Sequence, residues 1–200
     1  MTTEHFALQG ARAATIAEST GRASMFLAAV SGGLVALGLV ATASDLGTAF
    51  FAFAFVLLPT LAFIGLVTFE RVLQSGIEDY GYARRIALLR GFYFDNAPEL
   101  IPYLLSVPPE ERLHAQGLPG ERFQGFRTVA GMVAVMTVVL AGSTVGLIAA
   151  LVFDYSLAAA LIAGPVFALA ALAALMRFQN SAWKRASTTP MLAEAAEESV

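Results

Sequence analysis

Between Arg127 and Arg177 the chain reads TVAGMVAVMTVVLAGSTVGLIAALVFDYSLAAALIAGPVFALAALAALM, and Asp154 is the one acidic or basic side chain in that stretch. About 20 apolar residues, rising ~1.5 Å each as a helix, cross a ~30 Å hydrocarbon layer. The runs on either side of Asp154, Thr128–Val152 and Ser156–Met176, are each long enough. In lipid every backbone amide needs a partner within the protein, and the period-two alternation of a barrel strand is missing, so both runs are read as transmembrane helices. The link Phe153-Asp154-Tyr155 is so short that the two helices must form an antiparallel hairpin.

The same plan occurs upstream. Ala23–Ser44 and Thr48–Phe69 contain no charged residue or histidine, and they meet at Ser44-Asp45-Leu46-Gly47. The composition of the 200-residue chain agrees with four spans. Hydrophobic residues make up 58% and charged residues only 14%, against roughly 25% charged in ordinary soluble domains. Mean hydropathy is +0.71. The expected fold class is therefore all-α: an integral membrane bundle of four transmembrane helices in two hairpins. A net charge of −3 leaves no basic footprint for nucleic acid. The lack of any Cys removes thiolate metal sites, thiol nucleophiles and thiol redox switching.

Orientation follows from the basic residues. All 12 Lys and Arg lie on one side of the two hairpins, and the tips hold none. Because basic loops are retained in the cytoplasm, both termini and the connector between the hairpins are expected there, in a bacterial-type cytoplasmic membrane. No signal peptide is visible, since Glu4, Arg12, Glu18 and Arg22 precede the first apolar run. The chain thus divides into a cytoplasmic N-terminal segment (1–22), a first hairpin (23–69), a cytoplasmic connector (70–127), a second hairpin (128–176) and a cytoplasmic tail (177–200) expected to be disordered at its end. Residues 4–20 are Ala-rich and weakly amphipathic, which predicts a separate helix lying near the membrane surface. Trp183 beside Lys184 and Arg185 reads as an inner-interface anchor, and Tyr155 as an outer one.

In the connector, Val72, Leu73, Ile77, Tyr80, Ala83 and Ala87 recur at helical spacing without a proline, so the second helix should continue out of the membrane to near Gly91. Its polar face carries Glu78, Asp79, Arg84 and Arg85. These are either a solvated face or a docking surface for neighbouring subunits. Prolines 98, 102, 108, 109 and 119 then break the chain into turns. Thr68-Phe69-Glu70-Arg71, Glu78-Asp79, Leu89-Arg90, Tyr93 and Ala97-Pro98-Glu99 resemble a bacterial family of small four-helix integral membrane proteins with no assigned activity. The resemblance runs from the first span to about Tyr103. It implies the same topology and a recurrent helix after the second span, and it carries over no catalytic or ligand residue.

A catalytic set is not expected. His5 and His114 stand in different segments without a partner at i+3 or i+4, and no nucleophile elbow, phosphate loop or zinc-binding motif occurs. The expectation is no catalytic residue, no metal and no cofactor. Ionisable residues inside spans mark proton relays and ion paths, and these spans hold none. What they do hold is small residues four apart: Gly32 and Ala36, Gly142 and Gly146, Ala160 and Gly164. Such pairs let helices approach closely, within one bundle or between subunits. Pro59 and Pro165 should kink the second and fourth helices. Arg22, Asp45 and Arg71 bracket the first hairpin as Arg127, Asp154 and Arg177 bracket the second, which suggests an internal repeat or simply the shared needs of two hairpins. The four arginines at the inner ends, Arg22, Arg71, Arg127 and Arg177, could form a basic mouth if they converged, and are otherwise head-group anchors.

The expected partners are the lipid bilayer and either further copies of the chain or other membrane subunits. The leading functional reading is a multi-pass protein, not an enzyme, that self-assembles or serves as an accessory component of a membrane complex. The alternative is a homo-oligomeric ion or small-solute channel with a hydrophobic gate, its path lined by Thr137, Ser143 and Thr144. Those hydroxyls do not form one clean stripe at about 100° per residue.

Overall fold

A computed structural model describes residues 2–96 and 128–188. Among them the chain is all-helical: α1 (Thr2–Ala43), α2 (Thr48–Asn96), α3 (Val129–Val152) and α4 (Leu157–Thr188). All four are long and apolar enough to cross a membrane. α2 spans 49 residues, so at ~1.5 Å per residue it leaves the hydrocarbon by several turns.

The tips are two turns of one geometry. Asp45 and Leu46 have φ of 53° and 56°, and Asp154 and Tyr155 have φ of 49° and 59°. The Gly47 amide closes the first turn onto the Ser44 carbonyl at 2.8 Å, and the Ser156 amide closes the second onto Phe153 at 2.9 Å. Asp tolerates the left-handed region because its short side chain bonds locally, whereas Leu46 and Tyr155 are held there at a cost. A β-carbon at Gly47 would lie 2.8 Å from the Ser44 carbonyl oxygen, so glycine relieves a close approach in the first turn, whereas Ser156 stands at the matching position of the second. The next helices start at once: the Ser156 hydroxyl accepts from the Ala159 amide, and the Thr128 hydroxyl caps α3 by accepting from the Gly131 amide at 3.0 Å.

α1 departs from expectation. It does not break before the first span but runs unbroken from Thr2 to Ala43, so residues 4–20 prolong the span instead of forming a separate surface helix. The reason is a seam of small and apolar residues that continues from the span into the extension. Leu8, Thr15, Ala23, Phe26 and Val30 are all buried, at steps of three, four, seven and eight. Steps of that size keep one helix face on a neighbour. That neighbour is α2, whose buried Val72, Leu73 and Ile86 run beside it.

The helices pack in chain order. α1 lies against α2, α2 against α3 and α3 against α4; α1 meets α3 and α2 meets α4 only slightly, and α1 and α4 do not touch among the described residues. The central α3 has 28% of its apolar window buried, and α4 only 6%. The core is filled by Phe26, Val30, Leu61, Phe69, Val133 and Ala134. These lie toward the basic end, away from the tips. α2 and α4 continue as helix through Pro59 and Pro165.

Candidate functional site

Three places could carry function: the seam inside the second hairpin, the cleft between the hairpins, and the charged end. In the seam α3 and α4 meet backbone to backbone. A β-carbon on Gly142 would lie 2.8 Å from both the Gly164 carbonyl oxygen and the Ala168 β-carbon, and one on Gly164 would lie 2.9 Å from the Gly142 carbonyl oxygen. Gly146 faces the Ala160 carbonyl at 3.1 Å on the same terms. Gly142, Gly146, Ala160 and Gly164 therefore hold one chain's own helices together. Gly32 is different: it is exposed, and a β-carbon there meets nothing within 4 Å. Ala36 is half-buried.

Two glycines outside the pairs spaced four apart also pack, Gly33 within the Ser31-Gly32-Gly33 stretch that the sequence suggests for helix packing and Gly65 without such a signal. Gly33 backs onto Leu57 and Leu61 of α2. Gly65 sits where Phe26 of α1 and Thr137 of α3 cross α2. A β-carbon at Gly65 would strike both. The signal that could have found them is weak, because adjacent glycines in an evenly apolar helix offer no contrast between faces.

Nearer the tips the two hairpins part around an apolar cleft of about 650 Å³, with Phe50 and Leu58 on one wall and Gly142, Ser143, Gly146 and Gly164 on the other. At the tips the rings of Phe51 and Tyr155 meet edge to face at 5.9 Å, joining the hairpins there. Ser143 is a hydroxyl on the cleft wall. Thr137 and Thr144 instead donate to the carbonyls of Val133 and Leu140 in their own helix, at 2.7 and 2.9 Å. Thr137 is buried in the core. A hydroxyl satisfied by its own helix can sit in an apolar environment without an unmet hydrogen bond.

At the charged end Arg12 donates through Nε to Asp79 at 2.7 Å, tying the extension of α1 to that of α2. Asp79 is thus engaged within the chain, while Glu78 and Arg85 are exposed and Arg84 is half-buried. Closer to the membrane Glu18 accepts from Arg22 at 2.9 Å, and Nη2 of Arg71 lies 3.7 Å from the same carboxylate oxygen. Arg22 and Arg71 therefore stand together on the α1–α2 seam. Arg177 is exposed on α4, and Arg127 lies outside the described residues, as do His114 and the prolines of the connector. His5 is bonded to Gln9 at 2.9 Å. Among the described residues no three His, Asp or Glu side chains are grouped to hold a metal ion.

Trp183, expected as an inner-interface anchor, also packs on protein. It is half-buried against α2, edge to face with Tyr80 at 5.8 Å, and a β-carbon at Gly76 would lie in ordinary contact range of its ring. One turn nearer the membrane Gln179 is fully buried, and its amide reaches the Thr128 hydroxyl at 3.4 Å. Tyr155, by contrast, is exposed at the tip. Together Trp183 and Gln179 dock the otherwise peripheral α4 onto α2 and α3. No protein-family model, curated protein or solved structure matches this chain.

Proposed function

We propose that this chain is a non-enzymatic, multi-pass component of a membrane assembly, joining further copies of itself or other subunits in a bacterial cytoplasmic membrane with both termini inside. The observation that carries this reading is the open row of helices. Among the described residues α1 and α4 do not meet, so each keeps one long apolar face without a neighbour there. Val35 and Leu39 on α1, and Leu161 and Leu169 on α4, are among the exposed residues on those helices. The non-enzymatic part of the reading is supported by spans without charged residues and by Thr137 and Thr144 being bonded to their own helix. The cytoplasmic orientation is supported by the confinement of all 12 Lys and Arg to one side of the hairpins.

The alternative is a homo-oligomeric ion or small-solute channel closed by an apolar gate. Its supporting observation is Ser143 on the wall of the inter-hairpin cleft, where a neighbouring copy could complete a path. The test is the protein mass in a nanodisc, by light scattering with the lipid contribution subtracted. Self-assembly predicts a defined multiple of 21.0 kDa, and conductance of the reconstituted multimer then separates channel from scaffold. A particle of one chain excludes both self-assembly and the channel, leaving the accessory-subunit reading for a pull-down to test.

A further inference from the structure

Arg22 is the last charged residue before the first span, and Arg71 stands two positions beyond the last residue of the second. The antiparallel pairing of α1 and α2 thus sets both guanidinium groups at one depth, where the hydrocarbon ends. Glu18 holds them together: it accepts from Nε of Arg22 at 2.9 Å and lies 3.7 Å from Nη2 of Arg71. Arg71 also donates through Nη1 to Gln74 at 3.0 Å. Each guanidinium carries five N–H donors in a planar fork suited to phosphate. With one hydrogen bond apiece committed inside the protein, both side chains remain about half exposed. Two positive charges against one carboxylate leave the cluster cationic. Glu70, exposed and about 100° around the helix from Arg71, offsets that charge only across solvent.

The surface below has the matching character. Residues three or four apart share a helix face. One turn deeper into the span from Arg22 stands Met25, and one turn deeper from Arg71 stands Val67; both are exposed. A second turn beyond Val67 brings Phe63 and Ile64, also exposed. The α1–α2 seam therefore presents a paired cation at head-group depth with an apolar strip directly beneath it. We infer that this seam is a binding site for an anionic phospholipid, its phosphate held by Arg22 and Arg71 and an acyl chain lying along Met25 and Val67. Charge decides the occupant: a zwitterionic lipid brings its own cation to a site with a surplus of positive charge, and an anionic lipid does not. The inference is independent of the assembly reading, since it concerns a face within one hairpin.

Native mass spectrometry of the detergent-purified chain, offered equal amounts of phosphatidylglycerol and phosphatidylcholine, tests it. The expected result is retention of phosphatidylglycerol over phosphatidylcholine on the order of tenfold. The pair Arg22→Gln and Arg71→Gln should bring that ratio close to one. Lys184→Gln, which removes a positive charge from the same end of the molecule on α4, should leave it unchanged. Arg22→Lys with Arg71→Lys, which preserves both charges, should keep most of the preference. Equal loss from the lysine and glutamine pairs would show a disturbed helix seam rather than a lost charge, and would overturn the site. So would an unchanged ratio in the glutamine pair, or no preference in the parent chain. Millimolar inorganic phosphate should leave the bound lipid in place, and displacement would replace the lipid site with one for soluble anions.

Discussion

The two hairpins share a tip and differ in how their helices are joined. In the second, α3 and α4 touch through Gly142, Gly146 and Gly164 with carbonyls almost in contact with the facing backbone. In the first, α1 and α2 interlock through side chains, Phe26 and Val30 against the α2 core, and then continue beyond the span with Arg12 on Asp79 and Glu18 between Arg22 and Arg71. Within the spans the two seams differ in side-chain size, and beyond them in surroundings. Inside hydrocarbon there is no hydrophobic drive to pair two helices, so association depends on close packing, which glycine permits. Outside it, ion pairs and burial from water become available, and the helices that extend there use both.

Substitutions break the contrast in a graded way. Phe26 is nearly inaccessible at the crossing of α1, α2 and α3, so Phe26→Ala should have the largest effect, a loss of about 3 kcal/mol, read by reversible unfolding in mixed micelles. Next comes Gly164→Val. Its added atoms meet backbone rather than a flexible side chain, so α4 must move off α3, at about 2 kcal/mol. A cysteine pair placed across that seam should lose its cross-link in the variant, while one across the α1–α2 seam keeps it. If both seams loosen together, the hairpins are not the independent units described above.

Smaller changes sharpen the comparison. Leu46 occupies the left-handed region with an ordinary side chain, so Leu46→Gly should stabilise the first tip by about 1 kcal/mol, a gain visible in the same unfolding assay. Asp79→Asn removes the ion pair with Arg12, whose side chains are 24% and 41% exposed. The expected loss is below about 1 kcal/mol and should shrink in high salt. Its clearer readout is faster amide exchange along residues 4–20, since that pair ties the extension of α1 to α2.

Sequence reading recovers the architecture more readily than the contacts. The spans and tips are legible because charge marks the ends of an apolar run sharply: Arg22 and Asp45 enclose one helix, Asp154 and Arg177 another. The continuation of α2 is legible because Val72, Leu73 and Ile77 alternate there with polar residues. Which face of a span meets which neighbour is not legible, because lipid accepts apolar side chains on every side and the helix carries no polar face to orient it. Gly32 and Gly33 illustrate this, adjacent and alike in sequence, the first open and the second against Leu61. The joining of residues 4–20 to the first span is hidden for a related reason. Its seam is built from Thr15 and small residues as well as Leu8, too weak a pattern to distinguish a helix packed on protein from one lying on a membrane.

On the reading proposed above, the outer faces of α1 and α4 belong to an assembly. With no native cysteine in the chain, single cysteines at Val35 on α1 and Leu169 on α4 can each be joined to neighbours by a short bifunctional reagent in the native membrane. The expected result is a discrete adduct of higher mass, containing a second copy or another membrane subunit, from at least one of the two positions. Unmodified mass from both, under conditions where each cysteine reacts with a monofunctional reagent, would mean that lipid alone covers these faces and would contradict it.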